Sequence, residues 1–137
     1  MNDNLLYNKE VMDRFTNPQN IGEIENADAK AEVGAASCGD ILKITMKIDP
    51  ESKRVIDAKA KIFGCGTAIS AADMAMSLIK GKTLDELKNF SNDDVLNALG
   101  GADEWKAKMP QKIHCSVLAE SAIEEALKNY MIRNNIQ

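Results

Sequence analysis

Two segments with strict alternation of side-chain polarity constrain the fold of this chain most. Between residues 42 and 48, and again between residues 56 and 62, apolar side chains alternate with charged or polar ones. This period of two is typical of half-buried β-strands. Segment 49–54 between them is polar and contains Pro50, which favours a turn. The pattern therefore predicts an antiparallel hairpin with one apolar face that other elements must cover.

Helical spacing replaces this alternation after Gly64-Cys65-Gly66. Thr67 can cap the first of these helices, and Gly81 can end it. A further strand is predicted at residues 29–34, ahead of the hairpin. Because the strands precede most of the helices, we expect an α+β fold with a small antiparallel sheet of about three strands covered by helices. The predicted helices cover residues 5–15, 67–80, 83–87, 92–99 and 116–131.

The chain has 137 residues, which predicts a single domain over residues 1–137, with residues 1–20 forming a mobile N-terminal helix. The net charge of −4 and the aromatic content of 4% argue against binding to nucleic acid. No apolar run is long enough to cross a membrane, and the N-terminus does not resemble a secretory signal. We therefore expect a cytoplasmic protein whose three cysteines stay reduced.

Each cysteine lies at the boundary of a predicted element. Cys38 precedes the first hairpin strand, Cys65 separates the second strand from a helix, and Cys115 opens the last helix. One edge of an antiparallel sheet can bring these boundaries together, because a strand start, its neighbour's end and a helix N-terminus can meet there. Asp40 and His114, the only histidine, come to the same place by adjacency in sequence.

Three thiolates with an imidazole and a carboxylate are ligands that suit zinc or an iron–sulfur cluster. The absence of a Cys-x-x-Cys pair excludes a zinc ribbon and a thioredoxin-type dithiol. Three alternatives stay open at this point. The cysteines can be small buried hydrophobic residues, the site can be a tetrahedral structural or regulatory Zn²⁺ module, or Cys115 and His114 can be a thiol nucleophile and its base. Sequence neighbours rarely have the geometry that the last alternative requires.

Four motifs occur in order within about residues 7–130, and together they closely resemble the IscU/NifU N-terminal-type scaffold proteins of iron–sulfur cluster assembly. The resemblance implies an IscU/SufE-like fold. Because His114 directly precedes Cys115, the chain resembles the IscU branch rather than the SufU branch. The motifs are Cys38-Gly39-Asp40, Gly64-Cys65-Gly66-Thr67-Ala68-Ile69, Lys80-Gly81-Lys82-Thr83-Leu84 and Lys112-Ile113-His114-Cys115-Ser116-Val117-Leu118-Ala119-Glu120. The site residues implied are Cys38, Asp40, Cys65, His114 and Cys115.

The resemblance implies a scaffold, not itself an enzyme, on which iron and persulfide sulfur become a transient [2Fe–2S] cluster. The partners it implies are a cysteine desulfurase of the IscS/NifS type, apo iron–sulfur proteins that receive the cluster, and a ferredoxin or a frataxin-like protein. Cys115 is the expected persulfide acceptor, because a helix N-terminus and His114 favour its thiolate, and Cys38 is the second candidate. The same ligands can hold Zn²⁺ after purification in air.

One departure from the family pattern concerns chaperone docking. Met109-Pro110-Gln111-Lys112 stands where the family has Leu-Pro-Pro-Val-Lys, so the double proline is missing. This difference argues against docking to an Hsp70-type chaperone. The sequence does not decide which proteins receive the cluster, or whether one chain holds it or two chains share it as a cluster-bridged dimer.

Overall fold

The computed structural model describes residues 9–35, 40–64, 66–101, 103, 106–107 and 114–134. Within these ranges, the main elements follow the predicted order, with strands before most of the helices. In chain order they are α1 (Lys9–Thr16), β1 (Ala29–Ala35), β2 (Asp40–Ile48), β3 (Val55–Phe63), α2 (Gly66–Ile79), α3 (Leu84–Leu87), α4 (Asn92–Ala98) and α5 (His114–Arg133).

The three strands form one antiparallel sheet in the order β1-β2-β3, which confirms the predicted α+β class. The polar segment after β2 closes the predicted hairpin. There the backbone N–H of Asp49 donates to the carbonyl of Arg54, and the Ser52 hydroxyl donates to an Asp49 carboxylate oxygen at 2.7 Å. The Ser52 hydrogen bond, with a backbone N–H from Glu51, lowers the pKa of the Asp49 carboxyl.

The core lies between one face of the sheet and the helices. Leu42, Ile44 and Met46 of β2 have no exposed surface, and α2 and α5 pack on this side of the sheet. Helix α2 is buried around most of its circumference, because it also contacts α1 and α4. Its alanines allow these close approaches. In the part of the chain that the structure describes, no helix is long and apolar enough to cross a membrane.

The N-terminal helix α1 packs on α2. Val11 is buried, and the Ser70 hydroxyl donates to the Val11 carbonyl at 2.7 Å. The predicted helix began at residue 5, and residues 5–8 lie outside the described ranges. The structure therefore provides a docked position for α1, whereas the mobility of residues 1–20 stays a prediction.

Two helices begin earlier than their apolar spacing predicted. Helix α5 begins at His114, so His114 and Cys115 belong to its first turn, whereas the predicted helix covered residues 116–131. Helix α2 begins at Gly66, so Thr67 lies inside the helix and is not its cap. The physical reason is that backbone hydrogen bonds determine where a helix begins, whereas the apolar period identifies only its interior.

The motif Lys80-Gly81-Lys82-Thr83-Leu84 builds a corner between α2, α3 and the hairpin. Gly81 adopts a φ of 86°, a left-handed conformation that favours glycine, and its N–H donates to the Val55 carbonyl. Thr83 caps α3 in a capping box with Glu86. Hydrogen bonds from the backbone N–H and hydroxyl of Thr83 lower the pKa of the Glu86 carboxyl. This motif of the family resemblance therefore has a structural role here.

Replacing Thr83 tests this corner. We expect Thr83→Ala to lower the free energy of unfolding by about 1 kcal/mol, because the hydroxyl that accepts the backbone N–H of Glu86 is lost. Thr83→Ser keeps the hydroxyl and is expected to retain most of the stability. Urea denaturation of the metal-free protein measures both variants. Equal stability of Thr83→Ala and the unsubstituted chain would contradict the assignment.

Candidate functional site

The structure describes part of the predicted site. Asp40 is the first residue of β2, and His114 and Cys115 are the first two residues of α5; the backbone of these three is described. Cys38 and Cys65 lie outside the described residues. Among the side chains that are described, no group of three or more His, Cys, Asp or Glu is placed to hold a metal ion. The site must therefore be located from the backbone.

Strand pairing places the start of β2 beside the end of β3. Asp40 pairs with Ala35, the last residue of β1, and Ile41 pairs with Phe63, the last residue of β3. Helix α2 begins three residues after Phe63, at Gly66. One end of the sheet thus holds Asp40, the end of β3 and the N-terminus of α2. We refer to it as the Asp40 end.

Helix α5 runs antiparallel to β1, which directs its N-terminus toward the Asp40 end. Near the other end of the helix, the Asn129 side-chain amide donates to the carbonyl of Lys30, at the start of β1, at 3.2 Å. Tyr130 is buried beside the same end of the sheet. Its burial, with the charges of Asp28 and Asp49, raises the pKa of its phenol. These contacts anchor the C-terminal part of α5 far from Asp40.

The length of α5 is sufficient to reach the Asp40 end. From Asn129 back to Cys115 the helix rises about 21 Å, at about 1.5 Å per residue. From Lys30 to Ala35 strand β1 advances about 17 Å, at about 3.3 Å per residue. The first turn of α5 is therefore level with, or slightly beyond, the residues that flank Asp40. The backbone brings the start of β2, the β3–α2 junction and the start of α5 to one end of the molecule.

Two helix N-termini at the same end create an environment that favours anions. The first turns of α2 and α5 carry backbone N–H groups without an intrahelical acceptor, and the helix dipoles add positive partial charge there. Such positions stabilise thiolates against thiols. Cys115 lies in the first turn of α5, and its role as a nucleophilic or ligating sulfur stays a prediction.

Three exposed apolar side chains lie on the elements that meet at this end, and sequence reasoning did not identify them. Phe63 is 76% exposed and its cross-strand partner Ile41 is 49% exposed, both on the face opposite the core. Val117, one turn into α5, is 43% exposed. The sequence does contain an indication of them. Each is an apolar residue at a position where the strand alternation or the helical period predicts a polar one. We call Ile41, Phe63 and Val117 the apolar rim.

Basic side chains continue the outer face of the sheet beside the rim. Lys43 and Lys61 are the next cross-strand pair on this face, and Glu23 contacts both ammonium groups, at 2.9 Å and 3.5 Å respectively. The hydrogen bond from Lys43, with the charges of both lysines, lowers the pKa of the Glu23 carboxyl. Neighbouring backbone also crosses this face, because the Ile24 N–H donates to the Thr45 hydroxyl at 3.0 Å.

A buried polar cluster lies on α2, about two turns into the helix. Asp73 has no exposed surface and forms an ion pair with Arg14 of α1, with an Arg14 Nη1–Asp73 Oδ2 distance of 2.8 Å. Asn20 is also fully buried and contacts Asp73. Sequence analysis missed both residues. The signal was Asp73 itself, the one charged residue in the apolar run from Gly66 to Ile79.

The family prediction was tested by comparison with known proteins. The family model for the NifU-like N terminal domain matches residues 6–137. The Drosophila melanogaster iron-sulfur cluster assembly enzyme IscU is 38% identical over 131 residues, which are 93% of this chain and 80% of that protein. The Archaeoglobus fulgidus iron-sulfur cluster assembly scaffold protein IscU 1 is 40% identical over 129 residues, covering 94% and 79% of the two chains.

A solved structure has the same fold. The N-terminal part of a nitrogen-fixing NifU-like protein from Brucella abortus superposes with a TM-score of 0.74. The superposition covers 94% of this chain and 96% of the other, at 18% sequence identity. The predicted architecture and the predicted family are both confirmed, and the chain belongs to the family of the NifU-like N-terminal domain.

Proposed function

We propose that this chain is a scaffold for iron–sulfur cluster assembly, which gathers iron and sulfur into a transient [2Fe–2S] cluster and transfers it to apo-proteins. One observation carries the proposal. The sheet register and the direction of α5 bring Asp40, the β3–α2 junction and the His114–Cys115 turn to one end of the molecule. The scaffold names of relatives that match most of the chain support it.

The remaining proposed ligands, Cys38 and Cys65, are those that the family resemblance implies, and covalent geometry is compatible with them. Cys65 is bonded to Gly64 and Gly66, which lie at the β3–α2 junction, and Cys38 is two residues before Asp40. Consecutive Cα atoms are about 3.8 Å apart, so both sulfurs are within reach of the Asp40 end. A site with three soft sulfur ligands and an imidazole suits iron. The oxygen of Asp40 is a harder and weaker ligand, which favours release of the cluster.

Sulfur would arrive as a persulfide on a cysteine desulfurase. The Cys115 thiolate attacks the terminal sulfur, a new S–S bond forms on Cys115, and the desulfurase thiolate leaves. Each such sulfur must gain two electrons to become sulfide. Two ferrous ions that become ferric provide two of the four electrons, so a ferredoxin-type donor must provide the other two. These thiols must be reduced to react, which fits a reducing compartment such as the cytoplasm.

The apolar rim is the proposed contact surface for the desulfurase. Phe63 and Ile41 are directly opposite each other on neighbouring strands, at the end of the sheet where Asp40 lies. Exposed aromatic and aliphatic side chains next to a reactive centre are typical anchors of protein–protein contacts. A donor bound there would have its persulfide close to the first turn of α5.

Anaerobic reconstitution tests the function directly. With ferrous iron, a cysteine desulfurase, cysteine and a ferredoxin-type reductant, we expect visible charge-transfer bands and equal amounts of iron and acid-labile sulfide. Without iron, we expect the mass of the chain to increase by one sulfur atom, and Cys115→Ser to lose that increase. A chain that binds only Zn²⁺ and develops no charge-transfer bands would identify a zinc module instead. A mass gain that persists in Cys115→Ser would make Cys38 the acceptor.

Replacing Asp40 tests how the cluster is released. We expect Asp40→Ala to lose its cluster several-fold more slowly than the unsubstituted chain. The weak oxygen ligand, whose dissociation would begin cluster release, is absent from this variant. The decay of the visible absorbance after transfer to chelator-containing buffer measures this rate. Glu51→Ala, in the hairpin turn at the opposite end of the sheet, makes the same charge change and is the matched control. Faster cluster loss in Asp40→Ala would contradict the proposed role.

A substitution in the apolar rim tests the docking surface. We expect Phe63→Ser to weaken binding to the desulfurase about tenfold, the effect of removing an interface anchor worth about 1.4 kcal/mol. Ile56→Ser is the control, because Ile56 is 61% exposed at the other end of β3. Fluorescence titration of each variant with the desulfurase measures the dissociation constants. Equal effects of the two substitutions would contradict the assignment of the rim.

A further inference from the structure

We infer that Arg14, Asn20 and Asp73 form a clamp that positions the β3–α2 junction, the junction that carries Cys65. The inference rests on the proposed function in one respect, namely that Cys65 binds metal. The clamp consists of contacts among α1, the segment after it, α2 and β3. It holds the two elements that meet at Cys65, so its members are positioning residues.

Asp73 is the centre of the clamp. One carboxylate oxygen accepts a hydrogen bond from Arg14 at 2.8 Å, and the other accepts the backbone N–H groups of Gln19 and Asn20, at 2.8 Å and 2.7 Å. A buried carboxylate without partners is strongly unfavourable, so these contacts must persist for α2 to stay packed. Asp73 therefore attaches both α1 and the segment after it to α2.

Asn20 connects α2 to β3. Its side-chain amide donates to the Asp73 carbonyl at 3.0 Å and to the Ser77 hydroxyl at 2.8 Å, both on α2. Its backbone carbonyl accepts the N–H of Ala60, on the edge of β3 that faces away from β2, at 2.8 Å. The Gly22 N–H donates to the Ala60 carbonyl, also at 2.8 Å. Segment 20–22 thus joins the helix and the strand through one buried residue.

The side chains around Asn20 close the clamp. Lys80, at the end of α2, donates to the Asn20 side-chain carbonyl and lies 3.5 Å from Asp57 of β3. Arg14 also donates to the Ser77 hydroxyl at 2.6 Å. Every polar group named here has a partner on a different element. Such a network has one well-defined arrangement, which makes it suitable for fixing the position of α2 relative to β3.

The clamp is close enough to Cys65 to influence it. Asp73 is seven residues from Gly66, about 10 Å along α2, and Ala60 is three residues from Phe63, about 10 Å along β3. If α2 can shift against β3, the start of α2 and the end of β3 also move relative to each other. Metal binding at the junction requires one arrangement of these ends. The docking of segment 9–22 and metal binding are therefore expected to stabilise each other, by the same factor in both directions.

The experiment compares two clamp variants with a matched control. Asp73→Asn and Arg14→Gln each remove the buried ion pair, and Arg14→Gln provides the test if Asp73→Asn fails to fold. Lys9→Gln makes the same charge change as Arg14→Gln, but it removes only the exposed Lys9–Asp13 ion pair on α1. Two quantities are measured in the full chain: amide hydrogen exchange in residues 9–22 relative to β2, and Zn²⁺ affinity by competition with a chelator.

We expect both clamp variants to exchange faster in residues 9–22, with β2 unchanged, and to bind Zn²⁺ about fivefold or more weakly. Lys9→Gln is expected to do neither. In the unsubstituted chain, Zn²⁺ is expected to slow exchange in residues 9–22. Faster exchange with unchanged Zn²⁺ affinity overturns the clamp and leaves the proposed function intact. A chain that shows the coupling to Zn²⁺ but builds no cluster overturns the proposed function alone. A chain that binds no Zn²⁺ but still builds a cluster overturns the clamp alone, and one that neither binds Zn²⁺ nor builds a cluster overturns both.

Discussion

The burial of one face of β2 is the interaction on which the rest of the structure depends. β2 is hydrogen-bonded on both sides, and Leu42, Ile44 and Met46 are fully enclosed by α2 and α5. Each of these side chains contributes about 1.5–3 kcal/mol by leaving water. A shift of the register by one residue would expose all three at once. The apolar face therefore fixes the pairing of Asp40 with Ala35 and of Ile41 with Phe63.

The position of the Asp40 end follows from this register. Its surface differs from the core in polarity and in exposure. Here the sheet ends, two helices begin, and large apolar side chains such as Phe63 stay exposed. Unpaired N–H groups are unfavourable inside a core. On a binding surface, unpaired N–H groups can bind anions and exposed apolar side chains can contact partner proteins. In the proposed function, the helix N-termini favour thiolates and the apolar rim receives the sulfur donor.

The ion pairs of α1 differ in burial, and they therefore differ in what they contribute to the structure. The exposed Lys9–Asp13 pair on α1 is solvated and screened, and such pairs contribute little to stability. The Arg14–Asp73 pair is different because Asp73 has no exposed surface. Removing its partner would leave a buried charge, so the pair specifies one position for α1 and segment 20–22. In the inferred clamp, that specificity is the function of the cluster.

Local sequence patterns determined a large part of this fold. The alternation in residues 42–48 and 56–62 predicted β2, β3 and their turn, because side chains of a strand alternate between two environments. The Thr83 capping box and Gly81 marked helix ends through their own backbone requirements. The motifs around Cys38, Cys65 and Cys115 predicted the family, which the comparisons confirmed. These are properties of short segments, so they can be predicted from the sequence alone.

The tertiary structure decided what depends on contacts between distant residues. Asn129 contacts Lys30, 99 residues earlier in the chain, and this contact reveals the direction of α5; no local pattern encodes it. The partners of Asp73 come from a loop and a helix more than 50 residues earlier. Periodicity identified the interior of α5 but not its first turn, because backbone hydrogen bonds set that boundary. The sequence determined which residues are candidates for a site. The packing of α5 and α2 on the sheet decided which end of the molecule the proposed site would occupy, because only burial of their apolar faces orients these helices.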